Sequence, residues 1–238
     1  MQTHFEHELE KLKKRILKMA NLAVEQVSAS VKILFSGETE QADSIAQNEK
    51  TIDELDVKVD KLCQQIFVLN QPVATDLRFI MSSLRIGNEL ERIGDIAFSI
   101  FTKSETLREE PEILKEFEIE ALFSETIEVI KNAVNCYIDK DIHKTEEIIY
   151  ACTIINEKCK LLLDRILQQM VNKSEIIIFA TNLILILREV ERLADHSSNI
   201  AESVYFMVEG EIIKHAKKKD QVKLPDQNND DLSKPVTI

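Results

Sequence analysis

The sequence predicts an all-α fold: two tandem antiparallel three-helix bundles related by internal duplication. Three observations carry this reading. Only 4 Gly and 4 Pro occur in 238 residues, so there are few places where a helix must stop. Apolar residues recur at steps of three and four over long stretches, the period of one helix face. A ten-residue motif also occurs twice, 100 residues apart: Ile86-Gly87-Asn88-Glu89-Leu90-Glu91-Arg92-Ile93-Gly94-Asp95 and Ile186-Leu187-Arg188-Glu189-Val190-Glu191-Arg192-Leu193-Ala194-Asp195. Five positions are identical and three more exchange like for like, apolar for apolar or small for small. Self-similarity at a fixed long period marks a duplicated structural unit.

The elements follow in order. Residues 5–35 carry Leu9, Leu12, Ile16, Met19, Ala23, Val27, Val31 and Leu34 on one helical stripe, ended by Ser36-Gly37. A second helix over 38–69 buries Ile45, Ile52, Leu55, Val59, Leu62, Ile66 and Leu69. Asn70-Gln71-Pro72 breaks it, because proline cannot continue the helix and restricts the residue before it. A third helix covers 73–104, and Pro111 lies in the connection that follows. The second half repeats the plan. Helices are expected over 113–138, 142–171 and 175–216, with turns at Asp139-Lys140-Asp141 and Asn172-Lys173-Ser174 and with Ser174 as an N-cap. Short loops make sequential helices antiparallel neighbours. Residues 1–105 and 106–217 are thus read as the two repeats, and the polar stretch 218–238 as a disordered tail.

Composition excludes several classes. The net charge of −12 argues against a broad nucleic-acid surface, which needs clustered Lys and Arg. The opening Met1-Gln2-Thr3-His4-Phe5-Glu6-His7-Glu8 has no apolar segment of a secretory leader, so a cytoplasmic location is expected. The longest apolar run, Ile176 to Leu187, is 12 residues and contains Thr181 and Asn182, which fits a buried helix rather than a span of about 20 apolar residues. Any membrane association would run through partner proteins. Cys63, Cys136, Cys152 and Cys159 form no C-x-x-C pair and read as buried, reduced core residues. The five histidines form no ligand set, and no Ser-His-Asp or Cys-His pair stands out.

The chemistry lies in the duplicated acids. Glu91 and Asp95, and likewise Glu191 and Asp195, stand four residues apart, so each pair shares a helix face one turn apart. Like charges so placed cost roughly 0.2–0.5 kcal/mol. Phe79, Ile86, Leu90, Ile93, Ala97 and Ile100 form the core sector of the third helix, and the acids point nearly opposite, toward solvent or a neighbouring helix. One reading is a solvated face, with Asp95 paired to Arg92 and Asp195 to Arg192. The other is a bound cation. Carboxylates without local His or Cys suit Mg, Ca, Mn or Fe. Two carboxylates make no closed cage, so Asp53 and Asn156, from similar places in the two second helices, are candidate further ligands. Arg78, Arg85 and Arg92, spaced by seven, line up beside the first acids. They read either as i, i+4 support or as a docking edge for an acidic partner or a phosphate.

Gln71-Pro72-Val73-Ala74-Thr75-Asp76-Leu77-Arg78, together with the two E-R-x-x-D motifs, closely resembles the signature of the PhoU family of phosphate-uptake regulators. Phe5 to Leu12 and Tyr205 to Gly210 also resemble that family, and the likeness spans about 1–215. The resemblance implies paired three-helix bundles and a non-enzymatic negative regulator of phosphate uptake and phosphate-starvation signalling. It implies binding to the ATPase subunit of the phosphate ABC transporter and to a phosphate-sensing histidine kinase, and a homodimer. It implies a metal cluster of Fe, Mg, Mn or Zn at Glu91, Asp95, Glu191 and Asp195, and no organic cofactor. Ala194 departs from the Gly94 of the first copy, which puts the second site in doubt. The rival reading is a metal-dependent hydrolase built from clustered carboxylates. Helical di-iron sites add E-x-x-H motifs, which this chain lacks. A passive helical scaffold would leave the duplicated acids unexplained.

Overall fold

The computed structural model describes residues 4–107 and 111–213. Among these residues seven α-helices follow one another: α1 His4–Ser36, α2 Ala42–Asn70, α3 Ala74–Leu107, α4 Pro111–Glu116, α5 Ile119–Asp139, α6 Ile142–Asn172 and α7 Ile177–Glu209, with a 3-10 turn Ser174–Ile176 before α7. No strand occurs among the described residues. The expected tail 218–238 lies outside them.

α1, α2 and α3 pack as one antiparallel bundle and α5, α6 and α7 as the other. The two are joined mainly through α3 against α7, with α1 against α5 beside them. The core is one continuous apolar cluster built from the helical stripes, including Leu12, Ile52, Leu90 and Ile93 in the first half and Phe123, Ile155, Val190 and Leu193 in the second. Its register repeats at an offset of 100: Ile52 with Cys152, Leu55 with Ile155, Val59 with Cys159 and Ile66 with Ile166 are all buried. All four cysteines are buried and none is in a disulfide. Burial pushes Cys63 and Cys159 up to about 12 and Cys136 up to about 11, so they stay neutral core residues. No helix among the described residues is long and apolar enough to cross a membrane.

The structure corrects several element boundaries. The helix expected over 113–138 is divided, with Glu118 in the left-handed region at φ 53°. Phe117 and Ile119 are both buried, and positions two apart lie about 200° apart around a straight helix. The chain breaks so that both side chains enter the core. Arg165 stacks its guanidinium 5.4 Å from the Phe117 ring, and Gln169 donates to Glu116 Oε1 at 2.7 Å, fixing the break to α6. Ser174 is not an N-cap but the first residue of the 3-10 turn. The side-chain cap in this half is Asp141, which accepts from the His143 N–H at 3.0 Å. Helix α7 ends at Glu209 rather than 216, because Gly210 takes φ 79° and donates its N–H back to Phe206 O at 2.9 Å. Leu69, expected in the core, is 71% exposed.

Candidate functional site at the duplicated carboxylates

In the first half, α2 faces α3 across a cluster of acids. Glu49, Asp53 and Asp56 stand on one face of α2, spaced by four and three, and α3 supplies Glu91 and Asp95. Ligand atoms of Glu49, Asp53 and Asp95 all lie within 4.8 Å of one another. Gln26 of α1, fully buried, donates from Nε2 to Glu49 Oε2 at 2.5 Å and to Gly94 O at 3.2 Å, while its Oε1 has no hydrogen-bond partner. Gly94 permits this close approach: a Cβ there would stand 3.1 Å from Ile52 Cδ1 and 3.6 Å from Glu49 Oε2.

The electrostatics match the crowding. Burial, opposed by the Gln26 hydrogen bond and reinforced by Asp95 and Asp53, pushes the Glu49 carboxyl up to about 7. Burial, then Asp95, raises Asp53. Burial, then Asp60 and Asp53, raises Asp56, whose Oδ1 is buried without a partner. Glu91 is raised by burial and Asp95 despite the Arg92 cation. Arg92, exposed to solvent, is 3.3 Å from Glu91 and 3.1 Å from Asp95. A set of carboxylates that resists losing its protons is short of positive charge, which a divalent cation would supply. The oxygen-only donors fit a hard or borderline cation.

The second half keeps the motif but not this surrounding. Asp195 Oδ1 accepts from Asn156 Nδ2 at 2.9 Å, and Glu191 pairs with Arg188 at 2.5 Å. Arg192 turns away from Asp195 to Glu189, at 2.9 Å. The core register sets Asn156 opposite Asp56 rather than Asp53, whose counterpart is Thr153. The place of Glu49 is taken by Ile149 and that of Gln26 by Thr126. Ala194 is buried, and the position equivalent to bulky Ile52 holds the smaller Cys152. The methyl group of Ala194 therefore has room.

A second pair of acids, Glu89 and Glu189, does something the sequence reading missed. Glu89 Oε2 on α3 meets His196 Nδ1 at 2.6 Å and Asn199 Nδ2 at 3.1 Å on α7. Glu189 on α7 accepts from Ser99 Oγ at 2.6 Å and from Lys103 Nζ at 2.7 Å on α3. Positions 99 and 199 are themselves equivalent, so the contact is the same one made twice across an approximate two-fold axis. It also shows that α3 and α7 run antiparallel. Both acids were visible as identical motif positions. Their role was hidden because the partners belong to the other repeat.

The arginine line is only partly free. Arg78 is half-buried, with Nε 3.4 Å from Met207 O, and its side chain covers Gly210. Arg85 is exposed, with its guanidinium 5.1 Å from the Phe206 ring. Both thus clasp the end of α7, and Arg92 covers the acids.

Fold and site together define a duplicated helical-bundle protein whose repeats carry carboxylates at matched positions. Residues 16–103 and 119–204 each match the family model described as PhoU domain. The chain belongs to the PhoU family. It is 29% identical over 218 residues to the phosphate-specific transport system accessory protein PhoU homolog 1 of Thermotoga maritima, covering 89% of this chain and 91% of that protein. It is 31% identical over 214 residues to the corresponding homolog of Aquifex aeolicus, covering 90% and 97%. The crystal structure of PhoU from Pseudomonas aeruginosa superposes with a TM-score of 0.79 at 26% identity, over 87% of this chain and 100% of that one.

Proposed function

We propose that the protein is a cytoplasmic, non-enzymatic regulator of phosphate transport that acts by contact. The observation that carries this is the match of both halves to the PhoU domain, together with relatives named as accessory proteins of the phosphate-specific transport system. Its partners would be the ATPase subunit of the phosphate ABC transporter and a phosphate-sensing histidine kinase, and it would form a homodimer. The surface supports contact. Val68, Leu69 and Val73 around the α2–α3 turn and Val171 and Ile178 around the α6–α7 turn are each at least 71% exposed. Because α3 and α7 are antiparallel, these apolar tips lie at opposite ends. Arg85 and Arg92, with the half-buried Arg78, form a basic edge between them.

Glu49, Asp53, Glu91 and Asp95, with Asp56 beside them, would hold a divalent cation. The cation would neutralise the cluster and lock α2 against α3, setting the face that a partner meets. The test is capture of the purified ATPase subunit and of the kinase by the wild-type chain and by Arg85→Glu. Arg85 is chosen because Arg78 also holds Met207. Wild-type capture of either partner, weakened at least tenfold in the variant at unchanged melting temperature, is expected. Failure of the wild type to capture either one would refute the contact reading.

A further inference from the structure

We infer that the cation site is one-sided: the first bundle holds metal, and the second has exchanged the same place for a metal-free staple. This rests on the metal reading of the first bundle above. The duplication should otherwise give two equivalent sites, since Glu91 and Asp95 recur as Glu191 and Asp195. What differs is everything around them. Of the six matched positions, Gln26, Glu49, Asp53 and Asp56 become Thr126, Ile149, Thr153 and Asn156. Three carboxylates are thereby removed, and so is the Gln26 amide; the buried oxygen without a partner that remains in the second half is the neutral amide Oδ1 of Asn156.

The two threonine replacements satisfy themselves. Thr126 Oγ1 donates to Leu122 O at 2.8 Å, and Thr153 Oγ1 donates to Ile149 O at 3.1 Å. Neither needs a ligand. Asn156 presents an amide donor to Asp195, where Asp56 presents an acceptor to its cluster. Position 88 is Asn in the first copy and Arg in the second, and that cation at position 188 neutralises Glu191. Each of the two acids left in the second half thus has a hydrogen-bonding partner in the protein. Two such carboxylates cannot coordinate a cation without discarding both partners, and too few oxygens remain to repay the loss.

The experiment uses the full chain freed of metal by chelator dialysis. Mn2+ is titrated at pH 8 while the resonance of the free hexaaqua ion is followed by electron paramagnetic resonance. Two isosteric double variants are compared with wild type: Glu91→Gln with Asp95→Asn, and Glu191→Gln with Asp195→Asn. The first should weaken Mn2+ binding at least tenfold, while the second should bind the wild-type amount with the wild-type midpoint. A third variant, Ile149→Glu with Thr153→Asp, Asn156→Asp and Arg188→Asn, restores the missing groups and should add a second class of bound Mn2+. Loss of about half the bound Mn2+ in the second variant would overturn one-sidedness. A wild type that binds no Mn2+ would instead overturn the metal reading itself. Helical circular dichroism of each variant keeps unfolding apart from loss of ligands.

Discussion

Glu89 of α3 meets His196 of α7 at 2.6 Å, and ten residues on from Glu89, Ser99 meets Glu189 in return at 2.6 Å. These contacts tie each repeat to the other along the α3–α7 pair. They place the duplicated motif in two roles. Its first acid locks the repeats together, and its second and third acids, one turn apart, face the neighbouring helix of their own bundle. The following expectations separate these roles.

Removing Glu189 should destabilise the fold more than removing any exposed acid. Burial pushes its carboxyl up, but Lys103, Ser99 and Arg192 overcome this and hold it below the usual range. Glu189→Gln should cost about 1.5–3 kcal/mol, the scale of hydrogen bonds to charged groups. The lowered group favours folding fully above its unfolded value near 4.5 and loses that contribution as pH falls through the folded value. The cost should therefore be present in urea melts at pH 7 and shrink below pH 4. Equal costs at both pH values would mean that the charge is irrelevant.

Glu49 should give the opposite pH dependence. Its folded carboxyl sits at about 7 against an ordinary 4.5, so the folded state holds a proton that the unfolded state releases between these values. Without metal, stability from this group falls as pH rises from about 4.5 to 7 and then levels off. Glu49→Gln should keep the Gln26 contact, flatten that slope and raise the melting temperature at pH 8. Mn2+ should raise the wild-type melting temperature more at pH 8 than at pH 5, since at low pH it competes with protons. A variant with the wild-type pH slope would show that the cluster is not the source.

Gly94 should be coupled to Ile52. An added methyl lies 3.1 Å from Ile52 Cδ1, which opposes the roughly 1 kcal/mol that Ala gains over Gly inside a helix. Gly94→Ala should therefore be more favourable in an Ile52→Val background than alone, read from the four melting curves of a double-mutant cycle. The second repeat already shows the compensated pair, Ala194 with Cys152 in the equivalent place. Independent effects would place the methyl group outside the contact.

The sequence made the helices readable because their apolar stripes follow one period. Two of the places where it failed are physical exceptions to that period. Phe117 and Ile119 both enter the core across a left-handed residue, and a 3-10 turn takes the position expected to cap α7. Glu91 and Asp95 were legible as a pair because they share one helix. Glu49 was not, since nothing in its local stretch separates it from the other acids of α2. Only the packing of α1, α2 and α3 together shows that it is half-buried and bonded to Gln26. The divergence of the second site was equally hidden, because the motif survives there while its neighbours on other helices have changed.

The most direct test of regulation of phosphate transport is a phosphate-responsive promoter fused to a reporter, in cells lacking this protein and grown with ample phosphate. The reporter should stay on in those cells and switch off when the wild-type chain is restored. A reporter that is off in both strains would contradict the regulatory role.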